Sequence, residues 1–195
     1  MSIKLSELES YFFDSCGISI IATDYINSRC KYYNVFYNHL LSKKDSILIC
    51  DDDYFFELNH QKIVRPGLTC DDILGILSQV KNNTVFISTP ISVWSCGNIK
   101  LRYEEITNVV RNIYGICLNN NLNVVLSESF IQIPTLSPPS SSTSTLHSAN
   151  LYVKYSSEKL HLIKNRYGNK ESIKVEELFV NLIREKKLKR ILENL

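Results

Sequence analysis

The stretch Gly17 to Leu41, GISIIATDYINSRCKYYNVFYNHLL, constrains this chain most: a short apolar strand passes through a polar turn into an aromatic-rich helix. The strand is expected at Ile18 to Ala22. The helix is expected from the recurrence of Tyr32, Tyr33, Phe36 and Leu40, the i, i+3/i+4 spacing of one buried face. Strand, loop and helix in this order is the outline of a nucleotide-binding unit. A phosphate-cradling loop, however, needs glycines so that several backbone N–H groups converge on the anion, a lysine for the β/γ-phosphates and a Ser/Thr for magnesium. The turn ATDYINSRC has none of those glycines and offers only Arg29 and Cys30. A loop with side chains at every position does not readily form such a nest, so a strand, turn and helix without ligand is the expected reading.

The remaining order of segments predicts an α/β fold. Leu5, Leu8 and Phe12 form a helical stripe behind an S-x-x-E pair, Ser6 and Glu9, expected to cap it. SILIC (46–50) reads as a buried strand running into Asp51, Asp52 and Asp53, carboxylates that either serve a site at the strand's end or cap the next segment. Lys62 to Val64 is a short strand candidate. Thr69 with Asp72 starts a helix carrying Ile73, Leu77 and Val80, and TVFIS (84–88) is a fully buried strand. Arg102 to Asn119 is the longest internal helix, stopped at Asn119 to Asn121, and LNVVL (122–126) is another buried strand that leaves Ser127, Glu128 and Ser129 at its end. Strands alternating with helices in this way predict a largely parallel sheet covered on both faces.

Beyond Phe130 the composition changes. PTLSPPSSSTST (134–145) has no charge and no aromatic residue, which predicts a flexible Ser/Thr/Pro loop over 130–146. Alternation at Leu151, Val153 and Tyr155, then Leu160 and Leu162, then Ile173 and Val175 predicts an antiparallel meander at the edge of the sheet. Residues 1–180 are thus read as one core. Residues 181–195 are read as a basic amphipathic helix with Lys186, Lys187, Lys189 and Arg190, which either docks a partner or phosphates or packs on its own core.

Composition narrows the class of partner. A net charge of +2 over 195 residues means that any basic surface is local. No apolar run approaches the ~20 residues of a membrane span, so a soluble, intracellular, cytoplasmic protein without membrane contact is expected. The six cysteines show no C-x-x-C pair, so buried thiols rather than a metal site are expected.

In this order the elements resemble the RecA/RadA superfamily core, over nearly the whole chain from Leu5 to about Val180. LSELESYF and GISIIA resemble the helix and strand leading to that family's phosphate loop. SILICDDDYF is similar to the strand ending in the catalytic glutamate, TVFISTPISVW to the strand with the magnesium-site aspartate, and LNVVLSES to the strand ending at the phosphate sensor. HSANLYVKYSSEKLHLIKNRYG is the most specific match, similar to the family's C-terminal meander with its K-x-R-x-G turn. The resemblance implies a RecA-like core with a mostly parallel central sheet flanked by helices and a C-terminal antiparallel meander.

Position by position, the resemblance implies a degenerate nucleotide site. The phosphate-loop lysine and threonine fall near Arg29 and Cys30, the catalytic glutamate near Asp52, the magnesium aspartate on Ser88 and the sensor glutamine on Ser129. Without the phosphate cradle, its cation and the metal carboxylate, little remains of what phosphoryl transfer depends on. The chain is therefore expected to be a non-catalytic RadA-recombinase paralogue of archaeal type, with no cofactor and no metal. Lys164 and Arg166 match positions from which family members reach a neighbouring subunit's nucleotide; a solvated basic strand is the alternative. The loop with Ser140, Ser141 and Ser142 takes the place of a DNA-binding loop, although it carries no Lys or Arg and a passive loop is the other reading. The expected partners are a recombinase or RadA-paralogue subunit, in a hetero-oligomer or a homodimer, and single-stranded DNA. Two other functions stay open: a divergent nucleotide-binding enzyme, and a RecA-fold scaffold without a role at DNA.

Overall fold

The computed structural model describes residues 5–14, 16–24, 38–42, 46–50, 61–64, 68–88, 95–96, 99–100, 103–130, 147–156, 159–166 and 172–174. In chain order the elements are α1 (Leu5–Phe13), β1 (Gly17–Asp24), β2 (Ser46–Cys50), β3 (Gln61–Val64), α2 (Cys70–Gln79) and β4 (Thr84–Ile87). A two-stranded hairpin of β5 (Ser95–Cys96) and β6 (Ile99–Lys100) follows, then α3 (Tyr103–Asn120), β7 (Asn123–Phe130), β8 (Leu151–Ser156), β9 (Lys159–Asn165) and β10 (Ser172–Lys174). Residues 38–41 are helical, at the end of the segment whose apolar spacing predicts a helix.

Among the described residues the main sheet has eight strands in the order β10-β9-β8-β1-β7-β4-β2-β3. From β3 to β8 every neighbouring pair is parallel, whereas β8–β9 and β9–β10 are antiparallel. The expected parallel sheet and terminal meander are both present. The reason lies in the strands' composition: continuous apolar runs suit strands buried on both faces, and each successive side chain enters the opposite layer.

One layer packs Leu8, Tyr11 and Phe12 of α1 and Leu40 and Leu41 against Ile21, Leu48, Phe86, Val125, Val153 and Tyr155. The other packs Ile73 and Leu77 of α2 and Ile106, Val110, Ile113 and Cys117 of α3 against Ile20, Ile49, Val85, Ile87, Val124 and Leu126. Phe12 and Phe86 are fully buried, and truncating such a side chain costs about 3–5 kcal/mol.

Local signals explain most boundaries. Thr69 and Asp72 form a complete capping box: the Thr69 Oγ1 accepts from the Asp72 N–H at 3.2 Å, and the Thr69 N–H donates to Asp72 Oδ2 at 3.1 Å. The pair at Ser6 and Glu9 behaves differently from expectation. The helix already includes Leu5, so Ser6 lies inside it, and the Glu9 carboxylate is instead hydrogen-bonded to His39 Nε2. Cys50, Cys70 and Cys117 are buried as expected, and burial pushes the Cys117 thiol up to about 12; Cys16 departs from expectation by lying exposed, its thiol donating to Asn121 Oδ1. Among the described residues no helix is long and apolar enough to cross a membrane.

Candidate functional site at the two edges of the sheet

The parallel strands define an upper edge, at their C-terminal ends, and a lower edge, at their N-terminal ends. From β1 the chain leaves toward β2 and β3, whereas from β7 it crosses to β8 on the other side of β1. Neighbouring strands whose connections depart in opposite directions open a crevice at their C-terminal ends, where open α/β sheets bind ligands. By that rule the candidate ligand edge here is the end of the β1–β7 ladder, where Thr23 and Asp24 pair with Ser129 and Phe130.

At this edge Ser88 follows β4, half-buried. Its N–H donates to the Ile49 carbonyl at 3.0 Å and its hydroxyl faces the same oxygen at 3.4 Å, so it ties β4 to β2. It carries no charge for a metal. Ser129 lies near the end of β7, its backbone paired with Thr23. Arg29, Cys30 and Asp52 lie outside the described residues, as do Ser140, Ser141 and Ser142 and the basic group Lys186, Lys187, Lys189 and Arg190, together with the proposed 181–195 helix.

The structure adds a pair that sequence reasoning misses. Glu128 and Tyr152 are 6% and 7% exposed, and the Tyr152 hydroxyl donates to Glu128 Oε2 at 2.6 Å. Register explains how they meet: Glu128 is level with Ala22 on β1, and Tyr152 with Ile20. The small Ala22 leaves room for the tyrosine to reach across β1 from β8 to β7. Burial pushes the Glu128 carboxyl above the usual carboxylate range, although the tyrosine's hydrogen bond acts the other way. It also raises the Tyr152 phenol, helped by the neighbouring carboxylate. The one sequence signal is a carboxylate two residues after Leu126, on the inward phase of an apolar strand.

Lys164 and Arg166 belong to the lower edge. The sequence places them on an edge strand, but β9 lies inside β10; among the described residues β10 pairs with Lys159 to His161, and Lys164 lies beyond that stretch. Lys164 Nζ donates to the His147 carbonyl at 2.9 Å, and the Arg166 guanidinium to Asn150 Oδ1 at 3.0 Å and to the same His147 carbonyl at 3.4 Å. Burial, and then the Arg166 charge, lower the Lys164 pKa. The two cations therefore share one side, as the alternation predicts.

Asn150 is the organiser of this edge. Its amide donates to the Cys16 carbonyl at 3.1 Å, its N–H to Ile18 O at 2.8 Å, and its carbonyl accepts from the Arg166 N–H at 3.1 Å. Gly17 makes the approach feasible: it sits at φ +136°, and a Cβ there would collide with the Asn150 amide nitrogen. Beside this arrangement a cavity of about 220 Å³ is lined by Arg111, Tyr114, His147, Ser148 and Arg166.

No family model and no curated protein matches the chain. Solved structures do match. A DnaB-like replicative helicase, solved for its interactions with primase, superposes with a TM-score of 0.66 at 12% identity, covering 86% of this chain and 58% of that one. A second solved structure, an ATPase domain, superposes with a TM-score of 0.60, also at 12% identity, over 81% of this chain and 80% of that one. The chain thus spans little more than half the length of the helicase. Strand order, layers and these likenesses agree that the chain has a RecA-like α/β fold, its parallel sheet completed by an antiparallel meander.

Proposed function

We propose that this chain is a non-hydrolysing RecA-fold subunit that pairs with a recombinase-type or other RecA-fold ATPase and helps load, stabilise or remodel it on single-stranded DNA during recombination and repair. One observation carries the reading. On the upper edge the described end of β4 presents a neutral serine bonded to a backbone carbonyl, while on the lower edge two cations stand together on the meander. Charge stabilisation in phosphoryl transfer needs a metal carboxylate in cis, whereas a cation can be supplied in trans. Lys164 and Arg166 are the groups proposed to act on a neighbour's nucleotide. That the DnaB-like helicase was solved for its interactions with primase fits a fold that works through protein partners.

Affinity purification of the full chain from its native extract tests this. A RecA-fold ATPase is expected to co-purify; its absence would remove the proposal's main support. A second reading is a divergent nucleotide-binding enzyme using Arg29 as phosphate ligand and Asp52 as carboxylate. Binding of magnesium-ATP at 100 times its dissociation constant would raise stability by about 2.7 kcal/mol. The subunit reading predicts no such rise in a thermal melt.

A further inference from the structure

The cavity beside β9 has a basic lining. Its lining, Arg111 and Tyr114 of α3, His147 and Ser148 before β8, and Arg166 after β9, contains two guanidinium groups, an imidazole and two hydroxyls, and no carboxylate among the described residues. Two arginines on one cavity with no carboxylate beside them among the described residues make a grouping that an anion would join favourably. Arg166 is held in place: one nitrogen donates to Asn150 Oδ1, and Asn150 is itself anchored to Cys16 and Ile18 through a close approach that requires Gly17. A guanidinium fixed in this way has already lost the rotamer freedom that binding would otherwise remove. Arg111 comes from a different element, on the exposed side of α3, so the cavity draws its two guanidinium-bearing residues from the helix layer and from the end of the sheet.

From this geometry we infer that the cavity is a binding site for a small dianionic phosphate, either inorganic phosphate or the terminal phosphate of a small molecule, with Arg111 and Arg166 as its charged ligands and Tyr114, His147 and Ser148 as hydrogen-bonding neighbours. Size and charge favour that class. About 220 Å³ is below the roughly 300–1,000 Å³ of pockets that enclose drug-sized ligands, and two forked cations match a dianion better than the single charge of a backbone phosphodiester. The inference goes beyond the proposed function and shares Arg166 with it; Arg111, which has no part in the trans-acting pair, separates the two.

Calorimetric titration of the isolated full chain with sodium phosphate and with pyrophosphate, against sodium chloride at matched ionic strength, tests it. One saturable site is expected. Arg111→Ala, at an exposed helix position, is expected to weaken it by at least about tenfold, Arg166→Ala to do the same, and Lys81→Ala, exposed and outside the lining, to leave it unchanged. No saturable binding, or binding that survives Arg111→Ala, would overturn the assignment. A thymidine oligonucleotide that binds through Arg111 more tightly than phosphate would overturn it too, by placing the site on a nucleic-acid backbone.

Discussion

The two edges of the sheet solve opposite problems. At the upper edge, polar groups close on one another: Tyr152 donates to Glu128, and Ser88 ties to the Ile49 carbonyl. At the lower edge, asparagines hold the backbone and two cations gather beside them, Lys164 and Arg166 both donating to the His147 carbonyl. Asn120 Nδ2 donates to the Leu77, Ser78 and Val80 carbonyls at 3.3, 3.1 and 3.0 Å, Asn121 bonds Asn82, and Asn150 bonds Arg166. The edge at which this fold class binds ligands is thus knitted together where it is described, while the opposite edge carries a cluster of positive charge. That difference is what directs the functional reading away from hydrolysis in cis and toward contact with another molecule.

The largest effect is expected from Gly17→Val, which forces a β-branched side chain into a left-handed backbone conformation and into Asn150. We expect a loss of at least about 2 kcal/mol in urea unfolding. A near-neutral result would mean that Asn150 does not organise the lower edge. Next comes the upper edge: Tyr152→Phe strands a buried carboxylate and should cost about 1–3 kcal/mol.

The same pair has a pH signature. The folded-state pKa of Glu128 is raised, so between its unfolded and folded values the native state holds the extra proton, and its contribution to stability falls as pH rises. The stability of Glu128→Gln relative to the wild type should therefore increase from about pH 4 upward and level off above the folded pKa. Parallel pH profiles for the two proteins would contradict the burial argument.

Smaller effects sharpen the contrast. Asn120→Ala removes the amide that satisfies the end of α2 and should cost about 1 kcal/mol, much like Thr69→Ala at the other end of that helix. Arg111→Ala should change stability by less than about 0.5 kcal/mol. Such a result would mark the lower-edge charge as held for a partner rather than for the fold.

Much of the fold was legible in the chain because its strands are continuous apolar runs and its helices carry clear stripes. SILIC forms β2 residue for residue, and Thr69 with Asp72 caps α2 as the spacing predicts. β7 runs on to Phe130 although the apolar pattern ends at Leu126, because β1 continues beside it to Asp24 and supplies the pairing. Ser6 does not cap α1 because the helix already includes Leu5, and Glu9 is engaged by His39 instead. The site was less legible. Glu128 and Tyr152 meet across an intervening strand, and Arg111 and Arg166, far apart in sequence, come to line one cavity only in the folded chain. Neither pairing has a spacing in sequence, since both depend on strand order.

The most direct test of the central claim is the ATPase turnover of the co-purified complex, measured with the wild-type chain and with Lys164→Ala/Arg166→Ala at equal recovery of the partner. The account predicts that turnover falls while recovery is unchanged, as expected for a subunit that supplies cations to its neighbour's nucleotide. Unchanged turnover in a complex of normal composition would contradict it.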